Sequence, residues 1–151
     1  MADVKEIIDK MMKYANPGMY EIGRAIADAQ IAYSHLKEME RANKKIISKY
    51  GRGAANGTDN YYHPLLQCHL AQMSDDDRVN GILMGIAKEY LMDYPKKRWH
   101  GQSHKEIMAD ATKDLNNNDY GSNIGDINKK RPCVDLLEHM RTENMRNAGI
   151  R

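Results

Sequence analysis

Between Met19 and about Tyr50 the apolar residues Ile22, Ala25, Ile26, Ala29, Tyr33, Leu36 and Met39 recur at three- and four-residue steps, which places them on one stripe of an α-helix. The same period returns in Val79, Ile82, Leu83, Ile86, Tyr90 and Leu91, and again in Ile107, Met108, Ala111 and Leu115. No segment alternates apolar and polar residues with the period of two that a half-buried strand requires. The pattern predicts an all-α protein, about five or six helices packed as a bundle. Composition agrees: nine Tyr, one Trp, eleven Met and no Phe point to a core of Ile, Leu, Met and Ala, which favours helices. With 151 residues, 41% hydrophobic and 29% charged, the chain suits a single helical domain, 1–151.

Local signals divide that domain. Asp3 and Glu6 open a short N-terminal helix carrying Val4, Ile7, Ile8, Met11 and Met12, and Asn16-Pro17-Gly18 ends it. Residues 51–60, with three glycines and Asn56-Gly57, read as an exposed loop. His63-Pro64 suits a helix opening, since proline is tolerated where an N–H has no partner. Ser74 with Asp77 marks the next start, Tyr94-Pro95 a stop, and Ser103 to Glu106 a full capping box. Residues 116–130, rich in Asn, Gly and Asp, are expected to be irregular, and Pro132 to open a last helix ending near Asn147-Ala148-Gly149.

Charge and cysteine content narrow the function. Twenty-three basic and 21 acidic side chains give a net +2, which excludes a protein driven by polyanion binding and makes nucleic acid an unexpected partner. No apolar run approaches the roughly 20 residues needed to span a bilayer, and the N-terminus has no signal-peptide core. The expected location is cytoplasmic, with export by a leaderless machine leaving no trace in the sequence. Cys68 and Cys133 could form one bridge; two reduced, buried thiols are the favoured expectation.

The chemistry-bearing residues are few. His100 with His104, and Cys68 beside His69, do not match zinc spacing, so neither metal nor cofactor is expected. Cys68 could meet His63, His100 or His139, but mid-helix beside Leu70 it reads better as a small buried hydrophobe. Glu89 and Asp93 lie one helical turn apart, and Asp110 and Asp114 repeat that spacing. Facing one another with His63, these carboxylates could form an acid–base site; equally, they could be a solvated face paired with Lys88, Lys105 and Lys113. Lys96-Lys97-Arg98 with Trp99, and Lys129-Lys130-Arg131, are candidate phosphate- or sulfate-binding clusters.

Asn117-Asn118-Asp119-Tyr120-Gly121, then Gly125-Asp126, Asn128 and Arg131-Pro132, resembles the C-terminal signature of the serum amyloid A family. Gly23, Ala25, Ala29, Tyr33 and Met39-Glu40-Arg41-Ala42-Asn43 look like its first helix, and Asp59-Asn60-Tyr61-Tyr62-His63 like the opening of its second. Ala87-Lys88-Glu89 and Ala109-Asp110 resemble positions in its third and fourth helices. His63, Cys68, Ala71, Lys88-Glu89, Asp93, Asp114, Asn117 and Gly121 are also similar to bacterial modules of Rhs-type polymorphic toxin and type VI secretion loci. The resemblance implies a four-helix core over 19–131, closed by residues 116–132, with an added N-terminal helix and turn (1–18) and C-terminal helix (132–151). In that segment Asn117, Asn118 and Arg131 would satisfy backbone groups, Tyr120 would anchor, Gly121 and Gly125 would permit positive φ, and Pro132 would open the last helix. The implied role is a bacterial effector in interbacterial competition, partnered by an immunity protein or secretion component. If an enzyme, it would be a cell-envelope hydrolase with Glu89 or Asp114 as acid–base group and His63 orienting. The alternatives are a non-enzymatic binder of lipid or another apolar ligand, suited by eleven methionines, and an adaptor or immunity-type partner.

Overall fold

The computed structural model describes Lys13, Tyr14 and residues 16–151, and every regular element among them is helical. The expected helix at Asp3 to Met12 lies outside the described residues. Helix α1 spans Pro17–Tyr50, with the Asn16 side chain accepting from the Met19 N–H and proline in its first turn. Gly51, Gly53 and Gly57, all at positive φ, turn the chain through 51–58 into α2, Asp59–Met73. This helix opens before His63-Pro64, and Pro64 lies inside it. Burial of Tyr61, Tyr62 and Leu65 on either side holds the helix through the proline.

Helix α3, Asp75–Ala87, starts where expected: Ser74 Oγ accepts from the Asp77 N–H at 3.1 Å. Tyr94-Pro95 does not end the helical run. The chain widens into a π-helical segment, Lys88–Asp93, and continues as α4, Tyr94–Trp99. A wider turn ahead of a proline relieves the clash between its ring and the preceding carbonyls, so the helix deviates instead of ending. Gly101 (φ +86°) then reverses the chain into α5, His104–Ile127, where the Ser103–Glu106 capping box is present in both directions.

Two expectations fail at this end. Residues 116–127 continue α5 rather than forming an irregular segment, and the single C-terminal helix is three pieces: α6 (Cys133–Leu136), a 3₁₀ turn (Glu138–Met140) and α7 (Glu143–Asn147). Both differences follow from packing on α2. Gly121 and Gly125 are helical, not at positive φ, and face α2 directly: an added Cβ would overlap the Pro64 carbonyl at one and lie 2.5 Å from the Cys68 carbonyl oxygen at the other. From the opposite side Gly81 of α3 abuts Gln67 and Leu70, and Gly85 abuts the Asn118 side chain. Gly121 and Gly125, four residues apart, thus bring α5 onto the α2 backbone, while Gly81 and Gly85, with the same spacing on α3, make room for the side chains of Gln67, Leu70 and Asn118.

Cys68 and Cys133 form a disulfide, with Cα atoms 5.9 Å apart, so the expectation of two reduced thiols is wrong. The number of cysteines carries no information about α5, which lies tight on α2 and returns the chain to Cys68 after one turn. Around the bridge gather Ala42 and Ile46 of α1, Tyr61, Tyr62 and Leu65 of α2, and Leu136, Leu137, Met145 and Ala148 of the C-terminal segment. Tyr120 meets His139 of the 3₁₀ turn through its hydroxyl (3.1 Å), and the Asn128 and Arg131 carbonyls accept from Gln72. Pro132 caps α6. The first half of α1 behaves differently from its pattern: Ile22, Ile26, Tyr33 and Leu36 face solvent, while Asp28 is fully buried. No helix among the described residues is long and apolar enough to cross a membrane.

Gly121→Ala and Gly125→Ala should each destabilise by about 1–3 kcal/mol through overpacking, measured by urea unfolding. Gly23→Ala, with nothing within 4 Å of the added carbon, should stabilise by about 0.5–1 kcal/mol. Equal effects at all three sites would refute the helix contact. Reduction of the disulfide, which closes a 65-residue separation, should remove about 4 kcal/mol, read as a lower melting temperature in dithiothreitol.

Candidate functional site

A cavity of about 310 Å³ opens between α1, α2, α3 and the π-helical segment. Tyr33, Leu36 and Met39 of α1, Leu66 of α2, Met84 of α3 and Met92 form an apolar wall. Its polar edge carries His63, Gln67, Lys88, Asp93 and Asn118. The walls suit an aliphatic or aromatic group, with polar atoms confined to one side.

Lys88 organises that side. Its Nζ donates to Glu89 Oε1 at 2.9 Å and to Asp93 Oδ2 at 2.6 Å. Lys88 and Asp93, five residues apart, meet across the π turn, a feature common at functional sites. Glu89 is 1% exposed, and its Oε2 has no hydrogen-bond partner among the described residues. A buried carboxylate oxygen left in that state is costly, on the order of 1–3 kcal/mol or more. Behind it, burial, with Glu89 and Asp59 nearby, pushes the Asp114 carboxyl up to about 6. Burial, aided by Lys88, holds His63 below its usual value and hence neutral near pH 7. Asn117 Nδ2 donates to Asn60 Oδ1 at 3.2 Å, linking α5 to the start of α2. Gln67 Nε2 donates to the Gly81 carbonyl at 2.8 Å, while the side-chain oxygens of Gln67 and Asn118 are buried without partners among the described residues.

Of the residues singled out from sequence, His63, Glu89, Asp93 and Asp114 come together. Asp110 does not: it is exposed, 3.6 Å from Lys97. That pairing also draws Lys97 away from its neighbours. Arg98 donates to the Gln102 carbonyl, Trp99 is 88% exposed, and Lys96 and Arg131 are exposed, so no convergent anion site forms among the described residues. Lys129 is engaged by the Ala71 carbonyl and Asp126. Among the described residues no three His, Cys, Asp or Glu side chains are placed to hold a metal ion.

Sequence reasoning missed Lys88 as the bridge between two carboxylates, offering it only as a partner in the solvated-face alternative. It also missed the pair of His35, which lines the cavity, and His69, whose ring nitrogens lie 3.0 Å apart; burial and the neighbouring ring bring His35 down to about 4. A third buried group joins α1 to α3: Arg24 pairs with Asp77, and Asn80 Nδ2 donates to Asp28 at 2.8 Å. Compared with protein-family models, curated proteins and solved structures, the chain matches none.

The raised Asp114 value sets a pH dependence. The ordinary carboxyl titrates near 3.8 and the folded one near 6, so the fold favours the neutral acid. That contribution is full below about pH 4 and lost as pH rises through 6. Asp114→Asn should therefore gain melting temperature over the parent at pH 7.5 and little at pH 4. A difference independent of pH would sink the assignment.

Proposed function

We propose that the chain is an effector-type hydrolase acting on a bacterial envelope component, in which the cavity holds an apolar portion of the substrate beside the acid–base cluster. One observation carries this reading: His63, Lys88 and Asp93 line the cavity, Lys88 bonds the buried Glu89 behind them, and Asp114 of α5 lies near enough to feel Glu89. Two carboxyls in different surroundings are what acid–base chemistry uses. Asp114, neutral up to about pH 6, gives a proton to the leaving group. Glu89 takes one from the attacking water, with the neutral His63 ring orienting it and Lys88 holding Glu89 and Asp93 in place. The Cys68–Cys133 bridge favours an oxidising compartment, such as the periplasm of a recipient cell. The biological setting, including an immunity protein or secretion component as partner, rests on the resemblance to polymorphic toxin modules. So does the assignment of α1, α2, α3 and α5 to a serum amyloid A-like four-helix core.

Expression in a bacterial host, with and without a periplasmic leader, tests the reading. Growth should arrest on periplasmic delivery, and Glu89→Gln or Asp114→Asn should restore it while folded protein accumulates unchanged. No growth defect in either compartment would refute the proposal. The apolar cavity wall favours a second reading, a non-enzymatic binder of an aliphatic ligand or lipid. Mass spectrometry of an organic extract of the purified protein would then find a co-purified apolar molecule, with any toxicity intact in Glu89→Gln.

A further inference from the structure

The π segment and α4 run on without a break from Lys88 to Trp99, and no residue of α4 is buried. Leu91, Pro95 and Trp99 follow at four-residue steps and so share one face. Met92 and Lys96 border that face on one side and Arg98 on the other. Leu91 is 76% exposed, Met92 68% and Trp99 88%, which leaves a large aromatic ring standing in water. The charges around it are one-sided. Asp93 is held by Lys88, Asp110 by Lys97 and Glu106 by the Ser103 cap, whereas Lys96, Arg98 and Lys105 have no carboxylate partner among the described residues. Lys105 belongs to the same region, since the Tyr94 hydroxyl of α4 meets His104 Nδ1 of α5 at 2.8 Å.

We propose that the face formed by Leu91, Pro95 and Trp99, with Lys96, Arg98 and Lys105 around it, docks the protein on an anionic lipid membrane. Cations that diverge cannot chelate a single anion, but they suit a plane of lipid headgroups. Tryptophan, with an apolar ring and a polar N–H, sits at the depth of those headgroups, and Leu91 and Met92 reach the acyl boundary beneath them. A free polyanion would engage the cations and leave Leu91 and Met92 in water, whereas a membrane covers both. Met92 also lines the cavity, so docking presents the cavity's rim to the lipid, and an apolar group passes between the two without crossing water. This surface goes beyond the hydrolase reading and needs no catalysis by the Glu89 cluster.

Trp99 is the only tryptophan, so the tryptophan fluorescence of the full chain reports this face alone. Vesicles of phosphatidylcholine with about 30% phosphatidylglycerol should shift its emission to the blue and carry the protein upward on flotation, both effects fading in high salt. Phosphatidylcholine alone should do neither. Each cation near an anionic surface strengthens binding about fivefold, so Lys96→Glu and Arg98→Glu should each weaken it roughly tenfold or more. Both side chains are exposed, so the fold tolerates the change, and Lys130→Glu, at the far end of α5, should leave binding within about twofold. Absence of a blue shift with the anionic vesicles would overturn the proposal, as would binding indifferent to Lys96→Glu and Arg98→Glu or equal on neutral lipid. Binding of polyglutamate with no response to vesicles would also overturn it, assigning the face to an acidic protein.

Discussion

The backbone contact between α2 and α5 is the constraint on which the remaining architecture rests. Helices normally pack 8–10 Å apart because side chains fill the space between them. Here Gly121 and Gly125 remove those side chains where α5 crosses Pro64 and Cys68, and the two backbones meet. Glycine inside a helix costs about 1 kcal/mol relative to alanine, so the contact forms against intrinsic propensity and is offset by packing. Its reward is position. With α5 pressed on α2, Asn117 reaches Asn60, Asp114 lies behind Glu89, and the chain leaving α5 meets Cys68.

The site inherits its electrostatics from this frame. Lys88 stands between Glu89 and Asp93 at hydrogen-bond distance, whereas Asp114, a helix away, has burial and two carboxyls for neighbours. Asp114 is therefore pushed toward its neutral form by where its helix places it. The π-helical segment supplies the rest. It breaks the regular spacing of α3, buries Glu89 and turns Met92 to the cavity.

How much of this the sequence discloses depends on the range of the cause. The Ser74 and Ser103 caps are three-residue events and read correctly. The all-α class follows from the periodicity of the whole chain. Spacing and residue type, both local, single out Glu89, Asp93 and Asp114 together with Asp110, and nothing local says which turn of α5 reaches the bundle and leaves Asp110 exposed. The Asn-rich stretch misled in a physical way. Asn, Gly and Asp weaken a helix by propensity, and only the partner helix, absent from any local window, makes Gly121 and Gly125 favourable there. The inverted face of α1 has the same origin, since Asp28 is buried only because Asn80 and the Arg24–Asp77 pair receive it.

The covalent bond between Cys68 and Cys133 closes a ring that contains α3, the π segment, α4 and α5. Lys88, Glu89, Asp93 and Asp114 all lie inside it, while His63 stands five residues before its seam. The most open stretch of the ring is the turn at Gly101. A single cut there leaves two polypeptides joined by the disulfide and by the packing of α5, α6 and α7 on α1–α4, with the two halves of the carboxyl cluster still held at high effective concentration. The cluster is thus wired to survive a nick, a property of chain topology rather than of any one contact.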